Sequence, residues 1–343
     1  MKTLMEKEIL EQPKVVSSII ERYIVDNKIK IDFPKGFKKI KFIASGSSYN
    51  CARMAEKFFR DILNYEASSE FSSEFLANKT NKINKDTLYF FISQSGKTKD
   101  TLAVLDYVKK EGAKSFALVN VQDSPMYEMA DYKMVANAGV EMAVAATKSF
   151  VACVLCCYLI VISLSKNQTP YIKELIDLSQ NIELVLEKNI DEVENCANFL
   201  AEFNGFPLIG YNYYYILCKE GSLKIKETSY KDTNAYALGE FIHGHVALLN
   251  KNKVLLEVFE KNMGEFEKLN LKKIVEKYNP KRVTISDFES ELNGDYKIIL
   301  PNSKGEFTKF IQTIVVLQLL ALKIALKLEL DVDKPNGLNK VVE

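Results

Sequence analysis

Short β-rich apolar runs alternate with amphipathic helical stretches through the first half of this chain. The runs are Ile40–Ala44, Thr87–Ile92, Ser115–Val121 and Tyr132–Ala136, and helical spacing of apolar residues covers Tyr49–Leu63 and Lys99–Glu111. Such alternation predicts βαβ units on a mainly parallel sheet, because parallel neighbours need a long crossover. Around Lys166–Pro170 the composition turns polar, and a charge-patterned helical segment from Tyr171 to about Glu202 reads as a connector. A second series follows, with strands predicted at Pro207–Gly210, Val254–Phe259, Val283–Ile285 and Tyr296–Leu300 and helices at Tyr213–Thr228 and Glu306–Leu328. The expected organisation is therefore α/β, with an N-terminal domain at 1–170 that includes a leading helix, a connecting helix at 171–202, and a C-terminal domain at 203–343. The halves read as two copies of one architecture, although the identity between them is too weak to establish duplication.

The longest apolar stretch, Phe150–Leu164, lies between Lys148 and Lys166. It falls short of the roughly 20 residues of a bilayer span, so a helix buried in a core or subunit interface is expected, with no membrane partner. Composition narrows the class. The 343 residues suffice for two domains with sizeable cores. Lys plus Arg is 46 and Asp plus Glu is 45, a net charge of +1 that gives no support to nucleic acid as a partner. Hydrophobic residues at 47% and charged ones at 27% are ordinary for a compact soluble protein and argue against long disorder or coiled coil. Of the cysteines Cys51, Cys153, Cys156, Cys157, Cys196 and Cys218, three crowd into the apolar run and no secretory leader precedes them, so reduced thiols and a cytoplasmic location are expected. The only histidines are His243 and His245, without cysteine pairs at ligand spacing beside them, and no metal is expected.

Two hydroxyl-rich turns carry the first candidate chemistry. Ser45-Gly46-Ser47-Ser48-Tyr49 follows the strand ending at Ala44, and Ser93-Gln94-Ser95-Gly96-Lys97-Thr98 follows the one ending at Ile92. Ligands of open α/β sheets bind at the carboxyl ends of strands, where helix N-termini offer unpaired N–H groups to an anion. The pair thus suggests a phosphate cradle, although neither turn has Walker or dinucleotide-binding glycine spacing and each serine also fits an ordinary helix N-cap. In the second half Glu220, Lys224 and Glu227 lie at i, i+4 and i+7, which puts an acid and a base on one helix face; a solvated, salt-bridged surface has the same spacing. Gly239-Glu240-Phe241-Ile242-His243-Gly244 presents a histidine in a glycine-bounded turn, with His245 as local support or structure. The segment Asp331–Glu343 is rich in turn formers, a composition usual in frayed tails.

Taken together these segments resemble the isomerase half of the glucosamine-6-phosphate synthase (glutamine–fructose-6-phosphate aminotransferase) family, built from two sugar-isomerase (SIS) domains. The resemblance spans nearly the whole chain. It is carried by Lys7-Glu8-Ile9-Leu10-Glu11-Gln12-Pro13, Gly46-Ser47-Ser48-Tyr49, Ser73-Glu74-Phe75, Ser93-Gln94-Ser95-Gly96, Ala146-Thr147-Lys148-Ser149-Phe150, Glu220-Gly221-Ser222-Leu223-Lys224-Ile225-Lys226-Glu227, Gly239-Glu240-Phe241-Ile242-His243-Gly244 and Asp331 to Lys340. It implies two flavodoxin-like SIS domains, each a mainly parallel sheet flanked by helices. It also implies that Ser48, Ser93, Gln94, Ser95 and Thr98 hold the sugar phosphate and neighbouring hydroxyls. By the same resemblance Glu227 is the enolisation base, Lys224 the assisting lysine, and Lys340 the C-terminal lysine near the sugar carbonyl. His243 is the ring-opening histidine and reaches the site of the other subunit, so a homodimer is implied.

The chain departs from the family pattern at Lys97 (usually glutamate), Ala146 (serine), Tyr211 (arginine after the strand glycine) and His245 (proline). No nucleophilic cysteine follows Met1, so a glutaminase half is not expected. The implied function is a phosphosugar isomerase/deaminase that needs no cofactor, with glucosamine 6-phosphate to fructose 6-phosphate and ammonia as the leading reaction. A fructosamine 6-phosphate deglycase and a non-catalytic sugar-phosphate sensor are the alternatives. Sensors of this fold usually pair one SIS domain with a helix-turn-helix, for which this chain offers no spare segment.

Overall fold

In the computed structural model, which describes residues 2–78 and 82–341, the apolar runs of the first half become a five-stranded parallel sheet. Its strands are β1 (Lys39–Ala44), β2 (Glu66–Phe71), β3 (Thr87–Ser93), β4 (Lys114–Val119) and β5 (Tyr132–Val135), in the order β2-β1-β3-β4-β5. All residues of the central β3 are buried, as parallel strands covered on both faces require. Helix α1 (Gly46–Leu63) follows β1, and α2 (Lys99–Lys110) follows β3. The apolar stretch singled out above lies in α3 (Lys148–Leu164), which is buried from Lys148 to Ile162 within the single chain. It packs on α1, where Phe58 meets Tyr158 edge-on at 5.2 Å and the Cys51 and Cys157 sulfurs approach to 4.0 Å. This helix is a core element and needs no second subunit to cover it.

The second half repeats the pattern. Strands β6 (Gly205–Gly210), β7 (Asp232–Ala237), β8 (Val254–Phe259), β9 (Lys281–Ser286) and β10 (Tyr296–Ile299) lie parallel in the order β7-β6-β8-β9-β10. Both sheets thus have the doubly wound 2-1-3-4-5 order of flavodoxin-like folds. Helix α4 (Asn212–Ser229) matches α1 at 18 residues. Each of the two begins on a left-handed residue, Gly46 at φ 56° and Asn212 at φ 53°, and each is followed by another, Asn64 at φ 56° and Tyr230 at φ 57°. The repeat of one architecture that the sequence pattern predicts is explicit in the backbone. Helix α5 (Glu306–Lys327) packs against α4, and Gly221 marks a close approach, since a Cβ there would stand 2.8 Å from the Leu317 side chain. α5 is long and apolar enough to cross a bilayer, yet 83% of its most apolar window is buried inside the protein, which makes it the core helix of the second half.

The compact units are not contiguous blocks of sequence. Of the described residues, one holds 14–78, 82–141, 146–176 and 339–341; the other holds 2–13, 142–145 and 177–338. The division therefore differs from 1–170, 171–202 and 203–343 in three respects. The leading helix Leu4–Leu10 belongs with the C-terminal sheet, because the Asp333 carboxylate accepts the N–H groups of Leu4 and Met5 at 2.8 and 2.9 Å and satisfies two donors of its first turn. The connector is three helices, Thr169–Ile176, Leu178–Lys188 and Ile190–Ala201, of which the last two lie in the C-terminal unit. The last break falls at Asn189, whose side-chain amide donates to Glu192 and to the Ile299 carbonyl. Finally, residues 339–341 group with the N-terminal sheet; Val342 and Glu343 lie outside the described residues.

Candidate active site

Strands β1 and β3 are neighbours, so the two hydroxyl-rich turns emerge side by side at their carboxyl ends. Ser45 Oγ donates to Asp100 Oδ2 in the first turn of α2 at 3.1 Å and ties the turns together. Neither Ser45 nor Thr98 caps its own helix with its side chain, which removes the ordinary N-cap explanation for them. Ser93 ends β3, is buried, accepts the Gly96 N–H at 3.0 Å and lies 3.3 Å from Thr98 Oγ1. Ser95 Oγ accepts the Lys97 N–H at 3.2 Å, and the Gln94 carbonyl accepts the Asn120 N–H at 3.1 Å. Gly96 needs its φ of +64°, and a Cβ there would meet Ser124 Oγ at 2.1 Å. The structure thus brings Ser93, Gln94, Ser95 and Thr98 into one tight turn, with Ser48 half-buried in the first turn of the adjacent α1. Hydroxyls and helix N-termini at a strand end suit a phosphate dianion.

The equivalent place in the second sheet is filled differently. Tyr211, at the position of Ser45, donates its hydroxyl to Glu260 Oε1 at 3.2 Å, and Lys309 of α5 bridges Asp287 Oδ2 at 2.6 Å and Glu260 Oε2 at 3.7 Å. Burial raises the Glu260 carboxyl, with the Lys309 ammonium only partly opposing it. Two carboxylates take up the charge of Lys309 in this crevice, and it lacks the hydroxyls of the first sheet's turns, so the departure at Tyr211 lies in a turn of different chemistry.

The acid–base face of α4 is not a solvated surface. Lys224 is 1% exposed, with its Nζ 2.5 Å from Glu227 Oε2 and 3.5 Å from Glu220 Oε1; Glu220 is 3% exposed and Glu227 23%. A lysine buried between two carboxylates, one reaching solvent, can pass or stabilise charge beside a group that takes protons. His243 lies in the turn after the short helix Leu238–Phe241 and is exposed, while His245 lies against the Tyr236 ring at 4.4 Å.

Lys340 is not loose in a frayed tail. Its Nζ lies 2.5 Å from Oε2 of Glu141, a fully buried carboxylate in the same unit. Glu141 also accepts the N–H groups of Thr147 and Ser149 at 3.0 Å each and the Ser149 hydroxyl at 2.6 Å. Burial alone would raise its pKa; the Lys340 charge and the hydrogen bonds from Lys340 and Ser149 outweigh it and hold the carboxyl below its ordinary range. Glu141 was not among the residues that the sequence singled out. Its signal is faint: a glutamate in an otherwise apolar and small run, Ala138 to Ala146, just before a helix. Among the described residues no group of three or more His, Cys, Asp or Glu has the arrangement of a metal site, and all six cysteines are free and buried.

Comparison with known proteins adds the family. Residues 36–163 match the SIS domain. The chain is 32% identical over 349 residues to the isomerizing glutamine–fructose-6-phosphate aminotransferase of Campylobacter jejuni, and 33% identical over 353 residues to that of Bacillus licheniformis. Each alignment covers 98% of this chain and 58% of the relative, so the chain spans little more than half their length. Among solved structures, the C-terminal domain of glucosamine-fructose-6-phosphate aminotransferase from Francisella tularensis superposes with a TM-score of 0.89 at 29% identity, covering 98% of this chain and 99% of that one. A glucosamine-6-phosphate deaminase from Thermotoga maritima shares the fold, with a TM-score of 0.80 at 22% identity and 99% coverage of both chains. Residues 36–163 are thus matched as an SIS domain, the same strand order is repeated in the second half, and the chain is similar along nearly its whole length to the C-terminal part of these aminotransferases.

Proposed function

We propose that this protein is a sugar-phosphate isomerase/deaminase acting on an amino-sugar or ketosamine 6-phosphate, with glucosamine 6-phosphate to fructose 6-phosphate and ammonia as its reaction. The observation that carries the proposal is the buried Lys224 held between Glu220 and Glu227. An aldose–ketose conversion needs ring opening, a proton moved between C2 and C1, and charge stabilised on the neighbouring oxygen. In this reading His243 opens the ring, Glu227 takes the proton from C2 and returns it to C1, and Lys224 and Lys340 stabilise the developing oxyanion or, for Lys340, engage the carbonyl. The product of that shift is an imine at C2; water adds to it, ammonia leaves, and the ketose remains. The turn of Ser93, Gln94, Ser95 and Thr98 with Ser48 anchors the phosphate, so that binding energy orients C1 and C2 at the base.

The names of the relatives, an isomerizing aminotransferase and a deaminase acting on glucosamine 6-phosphate, support the choice of sugar. The exposed His243 supports a homodimer in which each histidine serves the partner's site. Incubation with glucosamine 6-phosphate followed by assay of ammonia and fructose 6-phosphate tests the proposal. Release of both in equal amounts is expected. Binding of the sugar phosphate without turnover would establish the sensor instead, and turnover confined to fructosamine 6-phosphate would establish the deglycase.

A further inference from the structure

We propose that Glu141 is a positioning residue for Lys340, the buried anchor that fixes the C-terminal tail for the sugar step; the proposal rests on the role given to Lys340 above. Glu141 divides its two oxygens between two tasks. Oε1 accepts the backbone N–H groups of Thr147 and Ser149 at the start of α3, whereas Oε2 takes the Ser149 hydroxyl and the Lys340 ammonium. One oxygen would suffice to cap the helix. The second faces the tail, and its negative charge, with the carboxylate wholly buried, requires a cation.

The rest of the tail is pinned elsewhere. The Asp331 carboxylate accepts the N–H groups of Asp333 and Lys334, Asp333 holds the first turn of Leu4–Leu10, and the Asn336 N–H donates to the Tyr230 hydroxyl just past the end of α4. All of these contacts lie in the C-terminal unit, whereas residues 339–341 group with the N-terminal one. Lys340–Glu141 is the side-chain ion pair that the described residues show for that last stretch. It uses one of the three ammonium donors and leaves two for an oxygen of the sugar. Without it the end of the tail regains conformational freedom, and the ammonium must be re-ordered at each turnover.

The test is a double-mutant cycle on the full chain with glucosamine 6-phosphate as substrate. Glu141→Gln should lower kcat/KM roughly 10- to 100-fold, as loss of a charge-assisted bond does, Glu141→Asp should recover part of it, and Glu141→Gln should cost nothing more in a Lys340→Met background. Equal losses in both backgrounds would show a purely structural Glu141 and overturn the proposal. A second arm needs no activity: brief trypsin treatment followed by intact mass, which reads loss of the three residues after Lys340. Cleavage should be faster in Glu141→Gln than in the wild type, and an unchanged rate overturns the proposal. If the wild type turned over no hexose phosphate, the enzymatic reading would fail while the trypsin arm still decided the anchor. Should Glu141→Gln not fold, Glu141→Asp takes its place in the trypsin arm and in the Lys340→Met comparison, its carboxylate being withdrawn by one methylene.

Discussion

At the scale of single residues, spacing identifies a face and burial decides what the face is for. Glu220, Lys224 and Glu227 were legible as neighbours on a helix because 3.6 residues make a turn. Their burial was not, because it depends on the packing of α5 on α4 some 90 residues later in the chain. The serines were legible as two hydroxyl-rich turns at strand ends, and in the structure Ser45 and Thr98 do not cap their helices with their side chains. Replacing Ser93 and Ser95 together with alanine should weaken fructose 6-phosphate binding at least 10-fold, as loss of two charge-assisted hydrogen bonds implies. Ser165→Ala should leave it unchanged, and calorimetric titration of the variants makes the comparison. Glu141 was illegible because its partners are a distant lysine and the backbone of a following helix. Its carboxyl is held below the ordinary value of 4.5 in the folded state. The stabilisation it contributes is therefore complete above that value and lost as pH falls through the lower folded one. Glu141→Gln should flatten the acid limb of a thermal-melting series there, and a limb identical to the wild type would contradict the assignment.

Elements follow the same logic. The central strands were legible as continuous apolar runs, whereas β2 and β7 were not, since Glu66–Phe71 and Asp232–Ala237 are edge strands with alternating exposure and polar sequences. The connector read as one helix because its charge pattern runs on from Tyr171 to Glu202; turns at Asp177 and Asn189 break it without glycine or proline. Inside the second sheet β8 and β9 are joined by Arg282, whose Nε and a terminal nitrogen donate to both oxygens of the buried Glu257 at 2.8 and 2.7 Å. Removing one partner of such a pair leaves a buried charge alone, so Glu257→Ala should cost about 3–5 kcal/mol. Urea unfolding of the full chain reads that loss, and a change below about 1 kcal/mol would show the pair to be solvated.

For the whole molecule, one architecture used twice has diverged in chemistry. The first sheet keeps hydroxyls at its strand ends, while the second fills the same crevice with Tyr211, Glu260, Asp287 and Lys309 and carries the buried Lys224 between Glu220 and Glu227 on α4. One hexose phosphate should therefore bind per chain, with none in the second crevice, and titration stoichiometry measures this. The dimer belongs to this scale as well. Because α3 is buried within the single chain, the case for two subunits rests on His243. Mixing inactive Glu227→Gln with inactive His243→Asn should restore part of the activity through mixed dimers that retain one intact pair. A fully active monomer by light scattering would contradict that assembly.

The most direct test of the account concerns the carbon-bound proton. Hexose 6-phosphate incubated with the protein in deuterated water should gain deuterium at C1 or C2, followed by proton magnetic resonance. Glu227→Gln should bind the sugar phosphate with nearly unchanged affinity and lose exchange by about 10²- to 10⁴-fold, the usual contribution of a general base. If the variant kept more than about a tenth of the wild-type exchange, Glu227 would be a structural partner of Lys224, and the proton would have to move through another group.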